Sequence, residues 1–549
     1  MTKRMIVLAA LAVACGRDDA SSTPAVASAE AAKAVGPIVV RLLSFNDFHG
    51  NLKPPTGRVA GVEGDVGGAG YFAAHLRKLG AGKPGTLVVS AGDLVGASPF
   101  TSALFHDEPT VAVMNELGLS VTSLGNHELD EGLDELLRLK SGGCHPKDGC
   151  KFEPTFRGAK FDYLGANVRS SSVAHPMPLP SWVVREVSGV KIAFVGMTLE
   201  ATPLGLFPEA AAGLSFADEV TTANALVPEI KAQGIEAIVL LIHQGGNVEA
   251  PALDSCTNFR GPIVDIVEHL DPAFDAVVSG HTHALYNCVV AGKPVTSALS
   301  FGRVVTSIDL TIDPTTHDVI HAEAKNHPIT HDLPPDPAVQ AIVDRASAAS
   351  APQENRVIGR INANISLGSA ALESPLGNVV ADAQLEVTRN HGATVALLNT
   401  NGIRSDLLFA KSGDETEDGL VTYGEAFAVQ PFGNELVTLT ITARQLMTVL
   451  EASLWEHANM QVSYGVTVRY EIDGVTGKKH VVALVLGGST LDSSANVRIT
   501  TSSFLAETDP ALKTGTNRVV GPTDLAALEM YFAAHPTVTA ARTPRFVAN

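Results

Sequence analysis

Five short apolar runs, each ending in a loop that carries metal-ligand side chains, constrain this chain more than any other feature. The runs at 39–45, 87–91, 121–124, 238–242 and 277–279 are rich in Val, Ile and Leu. Runs of that length and composition read as buried strands. The first leads to Asp47 and His49, the second to Asp93, and the third to Asn126, His127 and Asp130. The fourth ends on His243, and the fifth leads to His281 and His283. Strands are expected at 38–45, 86–90, 121–124, 190–196, 237–242 and 276–279. Helical patterns fall between them at 68–79, 110–117, 132–139, 216–233 and 262–269. That alternation predicts a layered α/β fold, in which the C-terminal ends of the strands gather their loops on one rim.

At 549 residues the chain is too long for one core, so two large domains are expected. A strand at 304–312 reads as the one that closes the first domain, assigned to 37–335. Pro334, Pro335 and Pro337 then break the pattern, and a helix at 338–349 reads as a connector within 336–358. The second domain, 359–549, shows helices at 377–389, 442–452 and 526–535 and strands at 395–398, 465–472 and 497–501.

The formal charge of −19 argues against a nucleic-acid polymer as partner, which would need a basic stripe. A small anionic substrate remains compatible, because metals and a few arginines would attract it locally. Nothing in the sequence points to an obligate protein partner. Lys3 and Arg4, the apolar run at 5–14, and Cys15-Gly16 after Ala12-Val13-Ala14 read as a signal segment, 1–15. The run is shorter than the roughly 20 residues that span a bilayer. Its end is similar to bacterial lipoprotein signals, although Ala12 stands where Leu is usual. The similarity implies cleavage before Cys15 and a lipid on it, with plain secretion as the alternative. The Ala- and Ser-rich stretch 16–36 reads as a tether between membrane and enzyme. Export fits the cysteine count: without Cys15, an even four remain, Cys144, Cys150, Cys256 and Cys288. Cys144 and Cys150 enclose a short loop, and Cys256 and Cys288 flank the His281/His283 segment. Four cysteines allow three connectivities, and four reduced thiols are the plainer alternative.

The residue types point to a paired metal centre. Seven N and O ligands suffice for two adjacent ions when one carboxylate bridges them. Mixed N/O ligation suits Zn, Mn, Co or Fe better than a pure Mg site. Asn126 would ligate without adding negative charge. His127 and Asp130, three apart at the start of a helix, can meet on its first turn. His127 as a structural cap of that helix is the plainer alternative.

The pattern resembles the bacterial periplasmic 5'-nucleotidase and UDP-sugar hydrolase family, within the calcineurin-like metallophosphoesterases. The resemblance covers nearly the whole mature chain. It implies a four-layer α/β/β/α sandwich followed by a C-terminal α/β substrate-binding domain. It also implies one metal on Asp47, His49, Asp93 and His283, and another on Asp93, Asn126, His243 and His281, with Asp93 bridging. His127, oriented by Asp130, would touch neither ion and would stabilise the transition state or donate a proton. In the second half, Glu373-Ser374-Pro375-Leu376-Gly377-Asn378 matches the family's helix-start motif. Asn399-Thr400-Asn401-Gly402-Ile403-Arg404 matches a loop whose arginine would grip phosphate. Pro431-Phe432-Gly433-Asn434 and Ser503-Phe504-Leu505-Ala506 match the segments carrying two base-stacking aromatics, here Phe432 and Phe504. Three departures stand out: Ala371 and Leu372 where an arginine is common, Asn401 at a usual glycine, and Glu507-Thr508-Asp509 in place of a ribose-binding Gly-Gly-Asp. Asp509 is the expected substitute, and Phe432 and Phe504 as core residues are the plainer alternative. The implied activity is metal-dependent hydrolysis of 5'-nucleotides outside the cytoplasm, extending to UDP-sugars. A 2',3'-cyclic-nucleotide phosphodiesterase, a sulfur-oxidation hydrolase on the same scaffold, and a non-catalytic surface binding protein are the alternatives.

Overall fold

In the computed structural model, which describes residues 36–172, 178–368, 372–413, 415–454, 460–540 and 543–549, the apolar runs pair into two six-stranded sheets. The signal segment with Cys15, the tether up to residue 35, and Ala371 lie outside the described residues. The strands of these two sheets are β1 (Ile38–Phe45), β2 (Thr86–Ser90), β3 (Leu119–Ser123), β4 (Asp162–Leu164), β5 (Trp182–Val187), β6 (Val190–Thr198), β7 (Ala237–His243), β8 (Ala276–Ser279), β9 (Leu285–Val290), β10 (Lys293–Ala298), β11 (Val304–Ile312) and β12 (Val319–Pro328). One sheet has the order β12-β11-β1-β2-β3-β4 and the other β9-β10-β8-β7-β6-β5. β1, β2, β3 and β4 run parallel, as do β6, β7, β8 and β10, so their C-terminal ends share a rim.

Strand periodicity explains the layering. Side chains alternate across a strand. Val40 and Leu42 of β1 therefore join Val239 and Leu241 of β7 in a fully buried seam between the two sheets. Leu43 and Phe45 point the other way, against the helices Ala69–Gly80 and Glu108–Leu117. Ile238, Leu240 and Ile242 meet the helices Glu219–Ala232 and Pro262–Glu268 on the far side. The result is the α/β/β/α sandwich. β11 does not close this domain. β12 pairs antiparallel with it as an edge strand, and its mixed, half-exposed sequence lacks the apolar run that marks the central strands.

The helix Pro337–Glu354 is capped by Asp336, whose side chain accepts from the Ala338 and Val339 N–H groups. It buries Val339, Val343 and Ala346 in the first domain's core, and Glu354 at its end accepts from Lys53, Thr101 and Ser350. The helix expected as a connector thus packs against the core of the first half. The second half holds a mixed sheet of order Met460–Val462, Val395–Asn399, Asn496–Ser502, Glu435–Thr442 and Thr516–Thr523. The Ser374-Pro375 motif starts the helix Pro375–Thr388. Ser374 caps the Gly377 N–H and proline occupies the first turn. The chain is closed by Cys144–Cys150 and Cys256–Cys288 disulfides, with Cα separations of 4.6 and 5.1 Å.

Candidate metal centre and substrate cleft

Every expected ligand lands on the shared rim, and most do so in a strained backbone. Asp47, His49, Asp93, His281 and His283 have φ of 50°, 46°, 51°, 71° and 50°, a left-handed region that non-glycine residues enter at a cost of about 1–2 kcal/mol each. Packing on both sides holds them there. Phe48 sits between the first two ligands and is anchored in the core against Phe45 and Phe72. Gly92 and Gly125 let the Asp93 and Asn126 loops touch. A Cβ on Gly125 would lie 2.1 Å from Asp93 Oδ1, and one on Gly92 would lie 2.5 Å from the Gly125 nitrogen.

The ligand atoms fall into two overlapping groups: Asp47, His49 and His283, and Asp47, Asp93 and His243. His49 Nε2 is 3.1 Å from His283 Nε2 and 3.5 Å from Asp93 Oδ2, and His283 Nε2 is 3.3 Å from Asp47 Oδ1. On the other side, His243 Nε2 is 3.0 Å from Asp93 Oδ2, and His281 Nδ1 is 3.0 Å from Asn126 Oδ1. Asp47 belongs to both groups, and Asp93 Oδ2, in the second, also approaches His49 of the first, as a bridging carboxylate requires.

Second contacts fix which nitrogen faces inward. His49 Nδ1 donates to the Gly96 carbonyl at 2.8 Å, and His243 Nδ1 donates to the Ala91 carbonyl at 2.7 Å. A carbonyl only accepts, so Nδ1 keeps its hydrogen, and in the neutral ring Nε2 presents its lone pair to the centre. In the neutral ring, His243 Nε2 is fully buried with no donor facing it, an arrangement that a cation would satisfy. The residues therefore fit a pair of divalent ions. Burial disfavours charge on Asp93, yet the His243 and His127 rings outweigh it and hold the carboxyl well below its usual range. Burial lowers His243, but the Asp93 carboxylate dominates and lifts it to about 10.

Glu128 is the residue that sequence reasoning left without a role. Its buried carboxylate accepts from the Asp93 N–H at 3.0 Å, the Leu94 N–H at 2.6 Å and the Gly125 N–H at 2.7 Å. It ties the second and third ligand loops together. Its place in the Asn126-His127-Glu128 run was the only signal of it in the sequence.

His127 stands beside the centre on a short 3-10 turn, His127–Leu129. Its Nδ1 donates to Asp130 Oδ2 at 2.8 Å, and its ring lies 5.0 Å from that of His49. Burial lowers its pKa, but Asp130 and Asp93 raise it more, so the net shift is upward. The structure places the ring beside the ligands, and the helix that a capping role would serve, Leu133–Ser141, starts after Gly132.

A cavity of ≈ 610 Å³ opens over these groups and is lined from both halves of the chain. Asn399, Arg404, Phe432, Asn434 and Phe504 all line it. Phe432 lies 6.0 Å from the His127 ring at a 21° angle, and the Arg404 guanidinium is 5.9 Å from the Phe432 ring. Burial lowers the Arg404 pKa, while Asp93, Asp130 and Asp47 pull it upward. Both phenylalanines are half-buried rather than enclosed in the core. Asp509 does not take the expected place. Its carboxylate caps the helix Pro510–Lys513 by accepting from Ala511 and Leu512, and Asp524 lines the cavity instead. Asp524 accepts from Asn434 Nδ2 at 3.1 Å, and burial lifts it to about 6. Leu204 and Phe207 also line the cavity from the first domain, Phe207 edge-on to Phe504 at 5.9 Å. They sit in a loop with no ligand motif, so the sequence offered no reason to single them out.

Residues 40–285 match the family model described as calcineurin-like phosphoesterase, and residues 357–513 match the 5'-nucleotidase C-terminal domain. The chain belongs to the calcineurin-like phosphoesterases that carry a 5'-nucleotidase C-terminal domain. Among relatives of this family, the endonuclease YhcR of Bacillus subtilis is 31% identical over 90% of this chain, and the chain spans 39% of that protein's length. The snake venom 5'-nucleotidase of Naja atra is 26% identical, with 82% of this chain and 85% of that protein covered. A 5'-nucleotidase precursor from Thermus thermophilus has the same fold, with a TM-score of 0.77, 23% identity, and coverage of 93% and 99% of the two chains. Phosphoesterases of this family use two divalent ions, in accord with the two ligand groups that overlap at Asp47.

Proposed function

We propose that this phosphoesterase hydrolyses nucleoside 5'-monophosphates to nucleoside and phosphate outside the cytoplasm. One observation carries the reading: a single cavity joins the paired ligand groups, the His127–Asp130 pair and the Arg404–Phe432 pair. Two divalent ions held by Asp47, His49, Asp93, Asn126, His243, His281 and His283 would supply Lewis-acid charge and a water of lowered pKa. The chain's own groups do the remaining work. Arg404 binds the phosphate with its planar fork of N–H donors, and Phe432 and Phe504 hold the base by its faces. Asn399 and Asn434 supply amide groups to the sugar side of the cavity. His127, kept protonated by Asp130, donates to the phosphoryl or leaving oxygen. Phosphoryl transfer needs mainly positioning and charge stabilisation, which this set provides.

The N-terminal signal features and two disulfides support export, with lipid attachment at Cys15. Mass spectrometry of the N-terminus of the mature protein checks that part. For the activity, the test is initial rates on AMP, UDP-glucose, 2',3'-cyclic AMP and bis(p-nitrophenyl) phosphate, with Mn, Zn, Co or Mg restored after chelation. The reading expects AMP to have the highest kcat/KM. Preference for a diester would contradict it and favour a phosphodiesterase.

A further inference from the structure

The loop after β6 leaves the same rim as the ligand loops but carries no histidine. Residues 199–213 form an arm that is fixed at its base. The Thr202 hydroxyl donates to the Leu199 carbonyl at 2.7 Å, and the Glu200 N–H donates to Glu219 Oε1 at 2.9 Å. Pro203 lies in the 3-10 turn Thr202–Gly205 and Pro208 starts the helix Pro208–Ala211, so the backbone between them has little freedom to lose. Leu206 is buried in the core of the first half, while Leu204, two residues before it, is 78% exposed. Of the described large apolar side chains left exposed, Leu204 is the one that lines the substrate cavity. Leu204 and Phe207 are also the large apolar side chains that the first half brings to that cavity, its other contributions there being polar or small.

We propose that this arm selects for the base of a nucleotide: Leu204 closes over the base held by Phe432 and Phe504, and Phe207 holds Phe504 in place from the opposite half. This rests on the reading of the cavity as a nucleotide site, and it names the wall that selects the base. The metal ligands, His127 and Arg404 address the phosphate, which every monoester shares, so they do not sort esters by what the phosphate is attached to. A leaving group that carries a flat, uncharged base takes Leu204 out of water, and one without a base leaves it exposed; the gain follows the apolar area covered. Phe207 meets Phe504 edge-on, with ring centroids 5.9 Å apart and an interplanar angle of 87°, a favourable T-shaped pair. Phe504 lies in the first turn of the helix Ser503–Thr508, capped by Ser502, and its own half covers the ring only in part. Phe207 therefore supplies the neighbour that fixes the ring's orientation. Leu204 touches the substrate, whereas Phe207 acts through Phe504 and is a positioning residue. The plainer alternative is a surface leucine and a packing contact between the halves, with no part in selection.

The test is the ratio of kcat/KM for AMP to that for ribose 5-phosphate, which carries the phosphate on the same sugar without a base. It compares wild type, Leu204→Ala, Phe207→Ala and Phe207→Tyr, with the Tm of each confirming the fold. Leu204→Ala should lower the ratio about 5- to 20-fold, the worth of the apolar area removed, through a higher KM for AMP. Phe207→Ala should lower it about 3- to 10-fold, the worth of an aromatic pair, and Phe207→Tyr, which keeps the ring, should retain it. Adenosine as inhibitor of bis(p-nitrophenyl) phosphate hydrolysis gives a second readout, independent of which ester the protein prefers. Its Ki should rise by similar factors in the two alanine variants. A protein that prefers the diester yet shows these Ki shifts keeps the arm's role and loses the nucleotidase reading. An unchanged ratio and Ki in both alanine variants, or no inhibition of wild type by adenosine, would overturn the arm's role.

Discussion

At the scale of single residues, the side chains that would hold metal are distinct from His127, which would work beside it. His127→Ala is expected to keep its full metal content and lose about 10²–10⁴-fold in kcat, the usual worth of a positioned acid. Metal analysis beside steady-state rates checks this, and unchanged turnover would refute the role. The raised pKa of His127 fixes the sign of a pH effect. The protonated donor is present below its pKa, so kcat falls as pH rises through it. Asp130→Asn removes the foremost raising partner and should move that fall to lower pH, read from the kcat profile. His243, lifted to about 10, is protonated at neutral pH without metal and must give up that proton to ligate. Metal binding at pH 7 should therefore release at least one proton. Calorimetry in two buffers of different ionisation enthalpy measures it, and no buffer dependence would contradict the assignment.

At the scale of elements, the decisive fact is how closely the ligand loops approach. Gly125→Ala places a Cβ 2.1 Å from Asp93 Oδ1. The variant should fold on its intact sheets yet bind both ions weakly, and metal content with circular dichroism separates the two effects. The Cys256–Cys288 bridge ties the loop after His243 to β9. A Cys256→Ser/Cys288→Ser variant should lose about 3–4 kcal/mol of stability from the freed loop, seen as a lower Tm. Much of this level was readable in advance. The central strands carry continuous apolar runs and end on ligands, so β1, β2, β7 and β8 were placed nearly to the residue. The edge strand β12 and the hairpin strand β9 were not, because half-exposed strands mix polar and apolar residues without a clean period. The metal ligands were legible because each follows a buried strand. The ribose side was not: Asp509 looked like a substitute by position, but an aspartate two residues before Ala511 in a Pro-started helix is a cap, and Asp524 reaches the cavity only through the fold.

At the scale of the whole molecule, the first half supplies the ions' ligands and the second supplies Arg404, Phe432 and Phe504, while Leu204 and Phe207 of the first half meet the second across the cavity. Neither half alone encloses the cavity, whose lining comes from both. All of this depends on a pair of ions at the meeting point. The most direct measurement is diffraction from metal-loaded crystals at the absorption edge of the bound metal. The account predicts two anomalous peaks roughly 3.5–4 Å apart, both within bonding reach of Asp93, one beside His49 and His283 and the other beside His243 and His281. A single peak, or none near Asp93, would contradict it.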